Sequence, residues 1–449
     1  MRKFDLIVIG SGAAGGTIAH TCRSRGWTVA IIDAHPFGGT CQLRGCDPKK
    51  ALVGAAHAFD LSRKMAQIGV LDRAPQLQWA DLMRFKRTFT DPVPDQHAKS
   101  YQDASIVAIN GTARFTGEQS IEVNGEILSA RHFAIASGAK AAPIAPGDDL
   151  LIDNEGFLNL DVLPERLLFI GGGYISFEFA HVAARVGANV QIIHGGPRPL
   201  PAFDEKLVEQ LVAGTRDIGI EVHLNARVTK ITREGSGVAA HAQVNGVTQT
   251  FTADVAVHGA GRVADLGDLH IEAAGIDRTK RGVKVNQYLQ STSNPHVYSA
   301  GDAADGGGLQ LTPVAGDEGD IVAANLLDGN HRTADFSGLA SIVYTTPALA
   351  MVGLNEDAAQ KKGISFEVLR GDMSSWYSSR RVLEKRADYK VIVERDSRRI
   401  LGAAIYGPHA EEQINIFALA IRSELDETAI KEALFAYPTG GSDLQYMFG

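Results

Sequence analysis

Cys41 and Cys46 are separated by four residues in a glycine-rich segment and are flanked by basic side chains. In a regular helix, Cα atoms five residues apart lie about 8–9 Å from each other, whereas a disulfide needs less than about 7 Å. A bond between the two sulfurs therefore requires a loop or a distorted helix entry. Arg44, Lys49 and Lys50 surround the pair and are expected to favour thiolates. The pattern predicts redox chemistry; a two-ligand metal site and two inert thiols are the alternatives.

The composition limits the other classes of function. The chain has 449 residues, and its 44 Lys and Arg against 52 Asp and Glu give a net charge of −8. This length allows about two to four domains, and three cysteines cannot hold a chain of this size together as a disulfide scaffold. The sequence has no long basic stretch of the kind that binds nucleic acid. It also has no apolar run that reaches the roughly 18 residues needed to span a bilayer. We expect a cytoplasmic globular protein without nucleic-acid or membrane partners.

A strand, a glycine loop and a helix precede the cysteines. Residues 4–9 form a short apolar strand, Gly10, Gly12 and Gly15 follow in a GxGxxG pattern, and a second apolar strand ends at Asp33. The glycines allow a tight turn, close approach of a pyrophosphate and packing of the helix on the strand. The helix N-terminus stabilises phosphates, and the carboxylate accepts hydrogen bonds from ribose hydroxyls. The unit predicts a bound dinucleotide.

The same unit recurs further along the chain. Residues 167–170 form a strand, Gly171 and Gly173 belong to the loop, and the next strand ends at His194. The simplest interpretation is two nucleotides, a flavin and a nicotinamide; the alternative is a duplicated fold with one inactive site. An acid at position 194 would repel a 2′-phosphate, so its absence favours NADPH over NADH. His194 and Arg198 are expected to supply positive charge, although Arg198 also suits a solvated loop.

The segment from Gly38 to Lys50, with its GGTCxxxxCxPKK pattern, resembles the class I pyridine nucleotide-disulfide oxidoreductases. That flavoprotein family includes glutathione reductase, dihydrolipoamide dehydrogenase and mercuric reductase. The resemblance runs nearly end to end. Its further motifs are Ala136–Gly138, Gly261–Arg262, Tyr298–Asp302, Leu311–Ala315, Tyr344–Pro347, Val352–Leu354 and Gly407–Glu412.

The resemblance implies roles for individual residues. Cys41 would be the interchange thiol that attacks the acceptor, and Cys46 the thiol that faces the flavin. Lys50 matches the lysine near the flavin N5, where it would stabilise negative charge on the reduced ring, and Glu178 matches the glutamate that pairs with it. Tyr174 matches the aromatic residue that covers the nicotinamide pocket.

The resemblance also implies the residues that hold the two cofactors, FAD and NAD(P)H. No metal site is expected, because the histidines show no metal-ligand spacing. For Ala113 and Val228 a structural role is a close alternative. The FAD residues are Gly10, Gly12, Ala13, Ala14, Gly15, Asp33, Gly39, Thr40, Lys50, Ala113, Ser137, Gly138, Asp302, Thr312, Pro313 and Ala315. The nicotinamide residues are Gly171, Gly173, Tyr174, Ile175, Glu178, His194, Arg198, Val228 and Gly261.

The C-terminal region departs from the family pattern. Tyr437 stands where thiol-exchanging members have an acid-base histidine, and Ser442 stands where they have a glutamate. A phenol with an ordinary pKa near 10 donates a proton but is a poor base at neutral pH. Mercuric reductases have a tyrosine in this region, but they also need a C-terminal cysteine pair that this chain lacks. Two interpretations of residues 374–385 are open: a segment that binds an anionic acceptor, or a solvated loop.

These observations predict an α/β fold with two Rossmann-like domains, the second inserted in the first, and a C-terminal α+β dimerisation domain. The FAD-binding domain would comprise residues 1–148 and 265–335, the NAD(P)-binding domain residues 149–264, and the interface domain residues 336–449. The resemblance implies a homodimer with its active site at the subunit boundary.

The predicted activity passes electrons from NADPH to FAD, then to a Cys41–Cys46 disulfide and finally to a small-molecule acceptor that the sequence does not identify. Three alternatives remain. One is a mercuric-reductase-like metal reductase. Another is a flavin-only NAD(P)H oxidase or diaphorase with a quinone acceptor. The non-enzymatic alternative is a redox-sensing protein that binds both nucleotides.

Overall fold

Twenty-one strands and fourteen α-helices make up the computed structural model, which describes residues 1–448. The strands are β1 Arg2–Ile9, β2 Val29–Asp33, β3 Val107–Asn110, β4 Arg114–Gly117, β5 Ser120–Val123, β6 Glu126–Ile135, β7 Ala139–Ala141, β8 Arg166–Ile170, β9 Asn189–Ile193, β10 Glu221–His223, β11 Ala226–Glu234, β12 Gly237–Val244, β13 Val247–Ala253, β14 Val255–His258, β15 Arg262–Ala264, β16 Val297–Ser299, β17 Ala340–Val343, β18 Ala348–Gly353, β19 Phe366–Asp372, β20 Asp388–Glu394 and β21 Ile400–Gly407.

The helices lie between these strands and on the faces of the sheets. They are α1 Ala13–Ser24, α2 Gly39–Arg44, α3 Cys46–Gln67, α4 Trp79–Thr90, α5 Val93–Asp103, α6 Asn154–Leu158, α7 Tyr174–Val186, α8 Glu205–Asp217, α9 Thr312–Asp328, α10 Glu356–Lys361, α11 Tyr377–Arg380, α12 Ala410–Arg422, α13 Glu427–Lys431 and α14 Gly440–Asp443.

The first sheet has a parallel core that matches the first predicted nucleotide unit. Its order is β3-β2-β1-β6-β5-β4, and β16 also pairs with β6. Strands β1, β2, β3, β6 and β16 run parallel, whereas β5 is antiparallel to both of its neighbours, β6 and β4. Residues 6–9 are buried, as expected for a strand covered on both faces. The carboxyl ends of these strands therefore open onto one edge.

The second sheet matches the second predicted unit and lies, along the chain, between β6 and β16 of the first. Its order is β10-β9-β8-β14, and all four strands are parallel. A separate antiparallel sheet, β11-β12-β13, follows β10 in the chain. The insertion of one Rossmann-like unit within the other is thus present in the strand order.

The C-terminal sheet is antiparallel, with the order β17-β18-β21-β20-β19. Helix α12 packs on it through Ile414 and Phe417, which are fully buried. An antiparallel sheet with helices on one face is an α+β arrangement. The predicted fold class is confirmed.

Two compact units can be distinguished in the chain. The first comprises residues 1–48, 85–142 and 261–336. The second comprises residues 49–84 and 143–260 and runs from Ser337 to the end of the described chain. Residues 49–84 thus belong with the second unit rather than with the first parallel sheet. The predicted boundaries of three domains stay a prediction.

Candidate active site

The first glycine loop is shaped so that only glycine fits at its turn. Gly10 has φ +102°, and a Cβ there would lie 2.1 Å from the carbonyl oxygen of Ala136. A Cβ on Gly15 would lie 1.9 Å from the carbonyl oxygen of Gly10. At Gly12, by contrast, the nearest atom to a Cβ would be the Cα of Gly39, at 3.8 Å. The loop therefore leaves its middle glycine open beside the N-terminus of α1, which suits a pyrophosphate.

Asp33 lies at the carboxyl end of β2, where the sequence predicts a ribose. Its Oδ2 accepts hydrogen bonds from the amide of Ser11 at 2.8 Å and from the hydroxyl of Ser11 at 2.6 Å. The same hydroxyl accepts a bond from the amide of Gly38 at 3.1 Å. Ser11 was not predicted as a site residue, although its place inside the glycine loop was a signal. It orients the carboxylate and ties it to the segment that precedes the cysteines.

The second glycine loop repeats this geometry. Gly171 has φ +113°, and a Cβ there would lie 2.3 Å from the carbonyl oxygen of Gly259. The amide of Gly172 donates to Nδ1 of His194 at 3.1 Å, which matches the bond from Ser11 to Asp33 in the first unit. Both bonds span 22 residues. His194 thus occupies the structural position of the acid.

His194 does not supply the positive charge that the sequence predicts. Nδ1 accepts the bond from Gly172, and Nε2 donates to the carbonyl of Arg198 at 3.0 Å. Burial lowers the pKa of this imidazole, so the ring is neutral. Arg198 in turn donates to the carbonyls of Phe203 and Pro201 at 2.8 and 3.1 Å. His194 is therefore not a cation, whereas Arg198 keeps its charge and directs two of its N–H groups to the backbone of its own loop.

The cysteine pair lies at an interruption between two helices. Cys41 is in α2, which ends before Gly45, and Cys46 is the first residue of α3. Both are free thiols, and their side chains are within hydrogen-bond reach of each other. The predicted departure from a continuous helix is present, and the pair is in its reduced form. In this form Cys46 and burial raise the pKa of Cys41; that nearby cations favour thiolates in the pair stays a prediction.

The loop around Asp302 and the start of α9 lie near other predicted residues of the first unit. Cys46 Sγ lies 3.4 Å from Thr312 Oγ1 at the beginning of α9. A Cβ on Gly301 would lie 3.2 Å from the Cβ of Ala315 and 3.8 Å from that of Ala14. The structure therefore brings together the starts of α1 and α9, the turn before Asp302 and the Cys46 sulfur.

Two charged residues beside Asp302 were not predicted. Glu318 Oε2 accepts a hydrogen bond from the amide of Gly301 at 2.7 Å, and Arg262 lies 4.0 Å from Asp302. Burial raises the pKa of Asp302 and raises that of Glu318 to about 7. The Gly261–Arg262 motif was a signal for Arg262, whose side chain was not considered, whereas no motif included Glu318. Together they fix the turn that carries Asp302.

The lysine that pairs with Glu178 is Lys49, not Lys50. Lys49 Nζ lies 2.7 Å from Glu178 Oε2, and the Glu178 side chain is only 1% exposed. Glu178 Oε1 also accepts a bond from the amide of Tyr344 at 2.7 Å. Lys50 lies over the ring of Tyr344, with Nζ 4.0 Å from its centre. Consecutive residues of a helix point about 100° apart, so only one of the two lysines can reach the carboxylate.

The remaining predicted residues lie in several environments. Tyr174 and Ile175 begin α7, and Tyr174 is 38% exposed. The hydroxyl of Ser137, the residue before Gly138, donates to the carbonyl of Asp265 at 2.7 Å. Ala113 is buried in a hydrophobic cluster with Phe115, which favours the structural alternative for that residue. The other predicted contacts with cofactors stay predictions.

Tyr437 is an exposed residue whose side chain is 77% accessible to solvent. Ser442, in the position expected for glutamate, is buried; its hydroxyl donates to the carbonyl of Thr439 at 2.7 Å and accepts from the Thr439 amide at 3.2 Å. Ser442 is therefore used to close the turn that begins α14. It does not orient Tyr437.

The described residues, 1–448, contain no helix that is both long and apolar enough to cross a bilayer. The same residues contain no group of three or more His, Cys, Asp or Glu side chains arranged to hold a metal ion.

Comparison with protein families explains this arrangement. Residues 4–319 match the family described as pyridine nucleotide-disulphide oxidoreductase, and residues 339–447 match its dimerisation domain. The chain belongs to this family. The family is FAD-dependent and uses NAD(P)H, so the chain is a disulfide oxidoreductase of the same class. The resemblance inferred from the sequence is confirmed.

Relatives in this family align with almost the whole chain. A glutathione reductase of Burkholderia cepacia is 29% identical over 97% of this chain and 96% of its own length. A dihydrolipoyl dehydrogenase of Bacillus subtilis is 29% identical over 97% of this chain and 95% of its own length. The solved Cu(II) complex of the HOCl-induced flavoprotein disulfide reductase RclA from Escherichia coli is 28% identical, covers 100% of this chain and 99% of that one, and superposes with a TM-score of 0.89. The names of the first two relatives give different sulfur compounds, glutathione and the dihydrolipoyl group.

Proposed function

We propose that this protein is an FAD-dependent, NADPH-preferring oxidoreductase that reduces a small disulfide or another sulfur electrophile through Cys41 and Cys46. The observation that carries the proposal is the pair of free thiols within hydrogen-bond reach at the junction of α2 and α3. A thiol pair at an interrupted helix can close to a disulfide and reopen without unfolding either helix.

The residues present fit both cofactors. The open cradle at Gly12 and the oriented carboxylate of Asp33 suit the pyrophosphate and ribose of FAD. The second loop, at Gly171 and Gly173, suits the nicotinamide nucleotide. Bound FAD would accept hydride from NADPH and pass electrons to the cysteine disulfide.

Lys49 and Glu178 act together in this proposal. The buried carboxylate of Glu178 fixes the Lys49 ammonium at 2.7 Å, and a fixed cation stabilises negative charge that develops beside it. The role that the sequence assigned to Lys50 therefore passes to Lys49. Tyr174, partly exposed at the start of α7, would cover the nicotinamide pocket.

The two cysteines perform the exchange with the acceptor. The Cys41 thiolate attacks one sulfur of a disulfide RS–SR′, which forms Cys41–SR and releases R′S⁻. The Cys46 thiolate then attacks the Cys41 sulfur, which forms the Cys41–Cys46 disulfide and releases RS⁻. The first departing thiolate takes a proton from the protein or from water unless it is already stable as an anion.

The acceptor is a reactive one in this proposal. Tyr437 is exposed and is not oriented by Ser442, so it is a poor substitute for an acid-base histidine. Losing that histidine matters least when the leaving group needs no proton. An activated sulfur species fits this requirement, and HOCl induction of the Escherichia coli relative agrees with an oxidised acceptor. The homodimer implied by the dimerisation domain would bring Tyr437 to the partner's cysteines.

An anaerobic titration with NADPH tests this function. We expect the long-wavelength absorbance of a thiolate beside oxidised flavin, and an uptake of about four electrons per chain, two in FAD and two in the disulfide. Cys41→Ser should reduce the uptake to about two electrons. Cys22→Ser is the matched control, because Cys22 is buried in α1 and burial raises its pKa to about 12.

The opposite result favours the flavin-only oxidase or diaphorase. In that case the wild type takes up about two electrons without the long-wavelength band, and Cys41→Ser leaves turnover intact. Such an outcome would reject the role of the cysteine pair. It would leave the two nucleotide sites unaffected.

A further inference from the structure

The chain that follows β9 is held against the start of β11 by backbone hydrogen bonds. The amide of Ala226 donates to the carbonyl of His194 at 2.8 Å, and the amide of Asn225 donates to the carbonyl of Gly196 at 2.9 Å. These bonds lie on either side of Gly195 and fix the register of the two segments. In a Rossmann unit the residue at the end of the second strand, here His194, faces the adenosine ribose. The beginning of β11 therefore lies beside that ribose.

Arg227 passes close over Gly195 because glycine leaves the space for it. A Cβ on Gly195 would lie 3.6 Å from the Cα, 3.7 Å from the Cβ and 3.8 Å from the Cγ of Arg227. Arg227 is exposed, and its cross-strand neighbour in β12 is the neutral Gln243. Within residues 1–448 its guanidinium has no hydrogen bond or ion pair. It is a cation available to a ligand.

The other two basic residues of this region have hydrogen-bond partners within the chain. His194 is neutral because its Nδ1 accepts from Gly172, and Arg198 donates to two backbone carbonyls. His194 and Arg198 are therefore both held by hydrogen bonds within the loop that follows β9. Arg227, on the strand that the backbone hydrogen bonds hold against this loop, is a basic side chain without such bonds in the described part of the chain.

We propose that Arg227 binds the 2′-phosphate of NADPH and so determines the choice of nicotinamide cofactor. The proposal deepens the NADPH preference of the proposed function and rests on it. Gly195 would allow this contact. Because it has no side chain, Arg227 of β11 can lie close to the loop that follows β9. Guanidinium and phosphate form charge-assisted, bidentate hydrogen bonds.

Calorimetric binding of 2′,5′-ADP and 5′-AMP to the holoenzyme tests this role without needing an acceptor. We expect the wild type to bind 2′,5′-ADP more tightly, and Arg227→Ala to weaken 2′,5′-ADP about 10- to 100-fold while 5′-AMP is unchanged. Arg227→Lys should retain part of the preference. The ratio of kcat/KM for NADPH to that for NADH should fall in parallel in both variants.

Arg233→Ala is the matched control. Arg233 is also an exposed arginine of β11, but six residues along the strand place it about 20 Å away. Its removal changes the net charge equally and should leave both ligands unaffected. Arg198→Ala releases the loop and should weaken both ligands alike.

Three outcomes would overturn the proposal. In the first, Arg227→Ala weakens both ligands equally, which indicates stacking on adenine. In the second, Arg227→Ala changes neither ligand. In the third, the wild type does not prefer 2′,5′-ADP, which also removes the NADPH preference. None of these outcomes alters the electron uptake by the cysteine pair, so failure here is distinguishable from failure of the disulfide chemistry.

Discussion

Lys49 and Lys50 are neighbours in α3 but have different surroundings. Both ammonium groups lie over the ring of Tyr344, but Lys49 is also paired with a carboxylate that is almost completely buried, whereas Lys50 is exposed. Removing one partner of a buried pair leaves an uncompensated charge. Removing an exposed cation from an aromatic ring loses much less. The two lysines therefore offer a direct comparison.

We expect Lys49→Met to lower the free energy of unfolding by about 3–5 kcal/mol and Lys50→Met by less than about 1 kcal/mol. Methionine keeps the unbranched stem and removes one positive charge in both variants, so the difference reports the ion pair of Lys49 with Glu178. Urea denaturation of the holoenzyme followed by circular dichroism measures it. Equal losses, or a larger loss for Lys50→Met, would contradict the assignment of Lys49 as the partner of Glu178.

Residue types at the site were predictable from the sequence, but their pairing and charge states were not. The spacing of Gly171 and His194 predicted a nucleotide loop, yet it could not show that His194 accepts a bond from the amide of Gly172. Likewise, two adjacent lysines match one family position equally well until the direction of α3 is known. Both errors concern which atoms face each other, and this depends on helix phase and loop closure.

At the scale of elements, the interruption between α2 and α3 could be predicted from the sequence, whereas the contact between the end of β9 and β11 could not. The required break between Cys41 and Cys46 followed from helix geometry, and it occurs at Gly45, where a Cβ would lie 3.0 Å from the carbonyl oxygen of Thr40. The approach of β11 to Gly195 was not predictable, because it depends on contacts between segments about 30 residues apart in the chain. Local periodicity carries no information on such contacts.

The N-terminus of α8 is linked to the C-terminal sheet by a cluster of charges. Asp204 is the N-cap residue of α8 and accepts from the amide of Leu207. It also contacts Arg370 of β19 at 3.2 Å and Lys390 of β20 at 2.6 Å. Burial alone would raise the pKa of this carboxyl, but the bonds from Arg370 and Lys390 lower it to about 2. Ionised Asp204 therefore stabilises the junction of these elements.

We expect Asp204→Asn to lower the free energy of unfolding by about 1–2 kcal/mol near pH 7. Asparagine keeps the helix cap, so the loss reports the charge. Because the folded pKa lies below the ordinary value near 4, the difference from the wild type should be constant above about pH 5 and should shrink as the pH falls toward 2. Urea denaturation at several pH values measures it.

Asp426→Asn is the control for this pH dependence. Asp426 caps α13 through the amides of Thr428 and Ala429, and within the described chain its side chain has no ion pair. The substitution should change stability little and with no comparable dependence on pH. A loss for Asp204→Asn that stays constant down to pH 3 would show that the ion pairs are not its cause.

At the scale of the whole molecule, the proposed homodimer would account for the exposure of Tyr437. The region that contains it belongs to the family's dimerisation domain, and a residue 77% exposed in one chain is free to contact a second copy. Ser442, by contrast, is used inside its own chain to close the turn at Thr439. In the proposed homodimer, Tyr437 of one chain would therefore act on the cysteine pair of the other.

A heterodimer that combines Cys41→Ser in one chain with Tyr437→Phe in the other tests this arrangement. If Tyr437 acts across the interface, one active site of the heterodimer contains an intact Cys41 and an intact Tyr437. With an unactivated disulfide, whose departing thiolate needs a proton, the heterodimer should then have about half of the wild-type activity, while each homodimeric variant is impaired. If Tyr437 acts within its own chain, neither site is intact, and the heterodimer should have no more activity than half that of the Tyr437→Phe homodimer. Differently tagged chains, purified in two affinity steps, allow the measurement. Because both arrangements contain the same substitutions, the difference between them reports only where the tyrosine acts.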